Sequence, residues 1–385
     1  MWRRVLGGLP IAAAIAGALA CAPAAVAKDV TITSFDGTRI AAHWFPGKGV
    51  DAGSPAPTIL EGPGWSSAGE TEGGGVATGL GGIFGVPGIS TFISHGYNVL
   101  TWDPRGFGQS GGTVEIDDPN YEARDVEALI DWVAKQPEAQ LDQSCGTKKG
   151  KKKGRRGKRR AKKRVTCATS KDDPTLGMAG ASYGGGIQLV TAALDKRIDA
   201  IAPTIAWHSL LTSLFPESNI KLGWGSILIA AGVQGSLLPG GITSPATAAG
   251  RQDPHFYSIL ANGLATGTTA PEDLAWMAGH GPGDMVEKIR VPTLLMEGTV
   301  DTLFPLDEAV TNFNDIGDNV WRTAAVKAKA KRKGKRKRKR KRKATQVENV
   351  PVKMIWFCGG HGVCLTGAGA GSDYLDQRTV SWFDR

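Results

Sequence analysis

The chain has 385 residues, of which 41% are hydrophobic and 53 are glycine, enough apolar material for one large core or two modest ones, with many tight turns. Its formal net charge of +10 is concentrated in two places: residues 148–164 hold 13 Lys/Arg and residues 327–343 hold 14, neither with an acid. These tracts carry 27 of the 46 basic residues, which leaves 19 basic against 36 acidic residues and a net of −17 elsewhere, and so excludes a uniformly basic protein.

At the N-terminus, Arg3 and Arg4, the apolar run Leu9 to Ala20 and the Ala25-Val26-Ala27 cleavage pattern read as a secretory signal over residues 1–27. The run is too short and too rich in Ala for a membrane span. Ala18-Leu19-Ala20-Cys21 gives a second reading, a loose lipobox that would leave a lipid-anchored Cys21. The expectation is therefore a secreted, periplasmic or envelope-bound protein. Cleavage after Ala27 leaves four cysteines, Cys145, Cys167, Cys358 and Cys364, an even number suited to an oxidising compartment. Neighbour pairing is the simplest of three connectivities: Cys145–Cys167 would close the base of the first basic loop, and Cys358–Cys364 would staple a turn around His361. Without paired C-x-x-C spacing they are not expected to bind a metal, and no cofactor is expected.

The first elements read as a hairpin, Val30–Thr33 and Arg39–Trp44, turned at Asp36-Gly37. A strand follows from Pro57 to Leu60 and opens into Gly62-Pro63-Gly64-Trp65. After a glycine-rich loop, residues 69–88, come a short helix from Ile89 to His95 and a strand from Tyr97 to Trp102 that runs into Asp103-Pro104-Arg105-Gly106. The turn around Asp103 and Arg105 is expected to serve structure, with Arg105 paired to a carboxylate. Residues 121–135 form an amphipathic helix with Val126, Leu129, Ile130 and Val133 on one stripe. Beyond the first basic loop, Thr175 to Ala179 reads as a buried strand and Gly185 to Leu194 as a helix. Between them lies Gly180-Ala181-Ser182-Tyr183-Gly184, a G-x-S-x-G in the strand–turn–helix setting of a nucleophile elbow. A strained serine there needs neighbours nearly without side chains.

Residues 198–205 read as a strand. Residues 207–285, irregular and containing Trp207, Trp224 and Trp276, read as an inserted helical cap between core segments 28–206 and 286–385. Val291 to Glu297 is a strand that stops at Gly298-Thr299-Val300-Asp301, Pro305 to Phe313 a helix, Val352 to Phe357 the last strand, ending at Cys358-Gly359-Gly360-His361, and Ala370 to Phe383 the closing helix. Alternating strands and helices mean an α/β fold with a mostly parallel sheet. Ser182, Asp301 and His361 each follow a strand, in the order nucleophile, acid, base of the α/β-hydrolases. His361 would take the proton of Ser182 and Asp301 would orient the imidazole. The backbone N–H of Tyr183 and that of Trp65 or Gly64 would receive the oxyanion. Asp307 and Glu297 are the competing acids, and His208 and His280 are cap histidines within reach of a substrate.

These motifs, together with Val291-Pro292-Thr293-Leu294-Leu295-Met296-Glu297-Gly298 and Phe304-Pro305, resemble the X-prolyl dipeptidyl peptidase/cocaine esterase-like group of α/β-hydrolases over about residues 30–385. The resemblance implies an α/β-hydrolase fold and hydrolysis of esters, or of amides after proline, through an acyl-enzyme. Family members commonly place a tyrosine hydroxyl in the oxyanion hole. No tyrosine lies between Val30 and His95, so a backbone donor near Trp65 is expected instead. Many members carry a C-terminal jelly-roll domain. This chain stops at Arg385, as a minimal version or a truncated reading frame would.

Three functions stay open on the sequence. One is a serine hydrolase acting on a small acyl ester or peptide. Another is an X-Pro dipeptidyl aminopeptidase, with Glu217 or Glu272 holding the substrate's amino group. The last is a non-catalytic envelope-binding protein on the same fold. The basic loops at 148–164 and 327–343 lead from helices into strands, opposite the site, where they would hold an anionic envelope polymer or lipid or remain solvated insertions. They lack the interleaved aromatics of a nucleic-acid surface.

Overall fold

The computed structural model describes residues 27–71, 86–148, 164–237, 251–316, 350–365 and 372–385. The signal segment, Cys21 and nearly all of both basic tracts lie outside the described residues, as do residues 72–85 of the glycine-rich loop.

In chain order, β1 (Lys28–Thr33), β2 (Arg39–Phe45) and β3 (Thr58–Gly62) precede α1 (Ile89–Ser94), β4 (Asn98–Trp102) and α2 (Glu122–Val133). Next come β5 (Leu141–Lys148), β6 (Arg164–Pro174), β7 (Leu176–Ala181), α3 (Tyr183–Leu194) and β8 (Ala200–Thr204). The helices α4 (Leu210–Leu214), α5 (Leu222–Ser236), α6 (His255–Thr266) and α7 (Pro271–Ala278) then intervene before β9 (Thr293–Gly298). A helix α8 over 306–316, β10 (Val352–Phe357) and α9 (Ser372–Phe383) complete the fold. Eight strands form one sheet in the order β1-β2-β4-β3-β7-β8-β9-β10. The β1–β2 and β2–β4 pairs are antiparallel and the rest parallel. Both faces are buried, as parallel strands require. Leu60, Leu100 and Met178 pack on one face with Val126 and Ile130 of α2. Their neighbours Ile59, Val99 and Ala179 pack on the other with Phe92 of α1 and Trp382 of α9. This period of two assigns alternate residues to the two cores. Each large aliphatic side chain so buried contributes about 1.5–3 kcal/mol.

The sequence reading missed one element. The segment between α2 and β7 is an antiparallel ribbon, β5–β6, which flanks the first basic tract and lies outside the main sheet. Its register sets Cys145 opposite Cys167 along the backbone; their side chains lie outside the described residues. Thr175, expected in the strand, precedes it, and its hydroxyl donates to Asp142 at 2.8 Å. The helices between β8 and β9 close a third apolar cluster over the carboxyl edge of the sheet, where Tyr183, Trp207, Phe256 and Phe304 meet. Among the described residues, no helix is long and apolar enough to cross a membrane.

Arg105 locks the turn after β4 to α2. It is 3% exposed and donates from Nε and Nη2 to the two oxygens of Asp125 at 2.7 and 2.8 Å, while Nη1 reaches Asp36 at 3.1 Å. Such bidentate geometry satisfies the planar guanidinium. Removing one partner strands a buried charge, so Arg105→Met is expected to lower unfolding stability by about 3–5 kcal/mol. The midpoint of a urea titration followed by tryptophan fluorescence measures it.

Candidate active site

The elbow is a backbone structure before it is a side-chain one. Ser182 stands at φ 56°, ψ −116°, between β7 and the first turn of α3. Its N–H donates to the Thr204 carbonyl at 2.9 Å, and its carbonyl accepts from Gly185 and Gly186 at 2.8 and 2.9 Å. A non-glycine residue in this conformation is strained and is held only by its surroundings. Gly180, at φ +148°, and Gly184 supply the room. A Cβ at Gly184 would lie 2.1 Å from the Gly62 carbonyl oxygen, and one at Gly180 would lie 2.6 Å from it. The glycines of G-x-S-x-G therefore let β3 and α3 approach until backbone meets backbone.

Three elements bring the polar groups together. His361, after β10, places Nε2 2.9 Å from Ser182 Oγ and Nδ1 2.7 Å from Asp301 Oδ2. Asp301, after β9, is 8% exposed. Its Oδ1 accepts from the N–H groups of Leu303 and Phe304 at 2.9 and 2.8 Å, and its Oδ2 also accepts from the His361 N–H at 2.8 Å. Four N–H donors fix the carboxylate without a cation bonded to it in this set. The competing acids stand apart. Asp307 is exposed on α8. Glu297 is fully buried in β9 and accepts from the Gly298 N–H at 2.9 Å. Burial, reinforced by the charge of Asp301, pushes its carboxyl well above the usual range. His208 bonds Asn312, and His280 lies 3.1 Å from Asp118. Neither lines the cavity over Ser182 among the described residues.

Tyr183, Trp65 and Gly64 are the expected sources of oxyanion donors. Tyr183 is the first residue of α3, where N–H groups lack intrahelical acceptors. The Trp65 ring packs edge-on against the Tyr183 ring, centroids 5.2 Å apart, and its Nε1 donates to the Leu228 carbonyl of α5 at 2.7 Å. Gly64 accepts from the Ser67 N–H at 3.2 Å and shapes the turn that carries Trp65. Above Ser182 opens an apolar cavity roofed by the cap. Trp65, Trp207, Phe256 and Trp276 are among the large side chains that line it, and no carboxylate is among the lining residues described. Glu217 and Glu272 are both exposed and outside that lining.

Cap residues that meet His361 and the turn after Asp301 were not singled out in the sequence. Trp224 meets the His361 ring edge-on at 6.0 Å, and Lys221 reaches the turn after Asp301. The one available signal was that Lys221 is the sole Lys or Arg between residues 207 and 250. Among the described residues, no cluster of His, Cys, Asp or Glu is arranged to hold a metal ion.

A disulfide joins Cys358 to Cys364, with Cα atoms 5.4 Å apart, and His361 stands midway in the loop it closes. So small a ring contributes about 2 kcal/mol through the unfolded chain. Its larger effect is on where the imidazole stands, and a misplacement of about 1 Å lowers a rate up to roughly 100-fold. Cys358→Ser with Cys364→Ser is expected to lower kcat by about 10- to 100-fold while leaving the far-ultraviolet circular dichroism unchanged. Ester turnover measured beside the spectrum checks this.

The fold is shared with solved hydrolases. The acylaminoacyl peptidase of Pyrococcus horikoshii superposes with a TM-score of 0.52 at 13% identity, over 93% of this chain and 41% of that one. The Pyrococcus furiosus esterase Pf2001 superposes with a TM-score of 0.50 at 16% identity, over 94% and 91% of the two chains. Porphyromonas gingivalis dipeptidyl peptidase 4 does so at 0.52 and 12%, over 94% and 35%. The chain thus spans less than half the length of either peptidase. These likenesses show the α/β-hydrolase fold. No curated protein matches the chain in sequence. The sequence profile of the X-Pro dipeptidyl-peptidase family (S15) matches residues 36–330, from the first hairpin to the second basic tract, and stops short of β10. With that match covering most of its length, the chain belongs to the X-Pro dipeptidyl-peptidase (S15) family and is a serine hydrolase of ester or peptide bonds.

Proposed function

We propose that the protein is an exported esterase that uses Ser182, His361 and Asp301 to cleave esters of apolar acyl groups. Neutral His361 accepts the Ser182 proton at Nε2 as Oγ attacks the ester carbonyl, while its Nδ1–H donates to Asp301. The N–H groups of Tyr183 and Trp65, beside Gly64, receive the oxyanion. The imidazolium then protonates the leaving alcohol, and water attacks the acyl-enzyme by the same route reversed.

The observation that carries this reading is the apolar lining of the cavity over Ser182. A dipeptidyl aminopeptidase must pair the substrate's ammonium with a carboxylate, because an unpaired buried charge is strongly disfavoured. Family membership favours that second reading, and the exposed positions of Glu217 and Glu272 oppose it. The Cys358–Cys364 bond supports an oxidising compartment. Both basic tracts precede strands whose opposite ends carry the site, β7 and β10, which supports an anchor on anionic envelope polymer or lipid that leaves the site free.

Each methylene moved from water into such a pocket contributes about 0.8 kcal/mol. On p-nitrophenyl acetate, butyrate and hexanoate, kcat/KM is therefore expected to rise roughly fourfold per methylene. Ala-Pro-p-nitroanilide should turn over far more slowly, and Ser182→Ala should abolish both turnover and fluorophosphonate labelling. A flat ester series with rapid release of the dipeptide would replace the esterase by the aminopeptidase.

A further inference from the structure

The turn that carries Asp301 is gripped from two sides. On its inner side, the N–H groups of Leu303 and Phe304 donate to Asp301. On its outer side, Lys221 Nζ donates to the carbonyls of Thr302 at 2.9 Å and Leu303 at 3.3 Å. The amides of the turn thus point to a carboxylate and its carbonyls to an ammonium. Three residues on, within the first turn of α5, Trp224 Nε1 donates to Thr302 Oγ1 at 3.3 Å and the indole meets the ring of His361. The start of α5 therefore touches both the acid's turn and the base.

Charge adds to position. Burial draws the Lys221 ammonium below its ordinary value, and the carboxylates of Asp301 and Glu308 draw it back up, so Lys221 shares the field of the triad acid. The groups facing this corner are few. Asp301 bonds His361 directly. Glu308, on α8, accepts from the N–H groups of His208 and Ser209 and from Thr212. Glu297, on β9, has its carboxyl pushed well above the usual range by burial. Glu217, on the segment leading into α5, is exposed.

We propose that Lys221 is a positioning residue for the triad: it seats the Asp301 turn against the cap, so that docking of α5 holds Asp301, and through it His361, in the geometry that activates Ser182. This rests on the Ser182–His361–Asp301 reading above.

The test uses the full chain and its Lys221→Met, Lys221→Gln and Lys221→Arg variants, each checked by thermal melting. The rate of fluorophosphonate labelling at Ser182 and separate kcat and KM values on p-nitrophenyl butyrate are measured. Both neutral variants are expected to lower kcat and the labelling rate about tenfold with KM nearly unchanged, and Lys221→Arg is expected to restore them. A residue that served only to hold the cap would raise KM and leave kcat in place. An unchanged kcat in a folded neutral variant, or an equal loss in Lys221→Arg, overturns the proposal. Absence of labelling in the unaltered protein would instead overturn the triad on which it rests.

Discussion

Backbone contact between Gly62 and Gly184 is the constraint from which the site follows. No side chain fits between the end of β3 and the start of α3. Because they touch, α3 begins directly over the sheet and Ser182 is driven into a left-handed backbone. The strain at Ser182 is sustained by the hydrogen bond from its N–H to Thr204 and by the burial of α3. Everything else in the site is placed relative to that fixed point.

Placement is then a matter of sheet order. β7, β8, β9 and β10 are adjacent and parallel, so the turns after β7, β9 and β10 open on one edge. Ser182, Asp301 and His361, 60 to 179 residues apart in sequence, converge at that edge, with the cap threaded between β8 and β9.

Legibility in the sequence followed burial. β7 and β9, buried along their whole length, and β10, apolar by pattern, all run into glycine-containing turns, so Ser182, Asp301 and His361 could each be assigned to the end of a strand before their distances were known. The stripe Val126, Leu129, Ile130, Val133 marked α2 for the same reason. The β5–β6 ribbon gave no such pattern, because Leu141 to Lys148 and Arg164 to Pro174 are mostly polar and pair with each other rather than with the core. The cap was opaque for the opposite reason. Residues 222–236 are apolar nearly all round, which erases the period that distinguishes one face from another. Lys221 escaped because its partners are backbone carbonyls, and carbonyls leave no trace in residue identity.

The bond from Trp65 Nε1 to the Leu228 carbonyl has a further consequence. Trp224, which meets the ring of His361, and Leu228, which holds the loop of Trp65, lie four residues apart on α5. Along a helix that interval is about 6 Å and nearly inextensible. At its far end, α5 presses on the same loop again, since a Cβ on Gly235 would lie 2.2 Å from the Ser66 carbonyl oxygen. One rod thus spans the gap between the His361 side of the site and the Trp65 side. The two sides are held in gauge by the pitch of a helix rather than by the loops that bear them, and a substrate that lifts α5 displaces both at once.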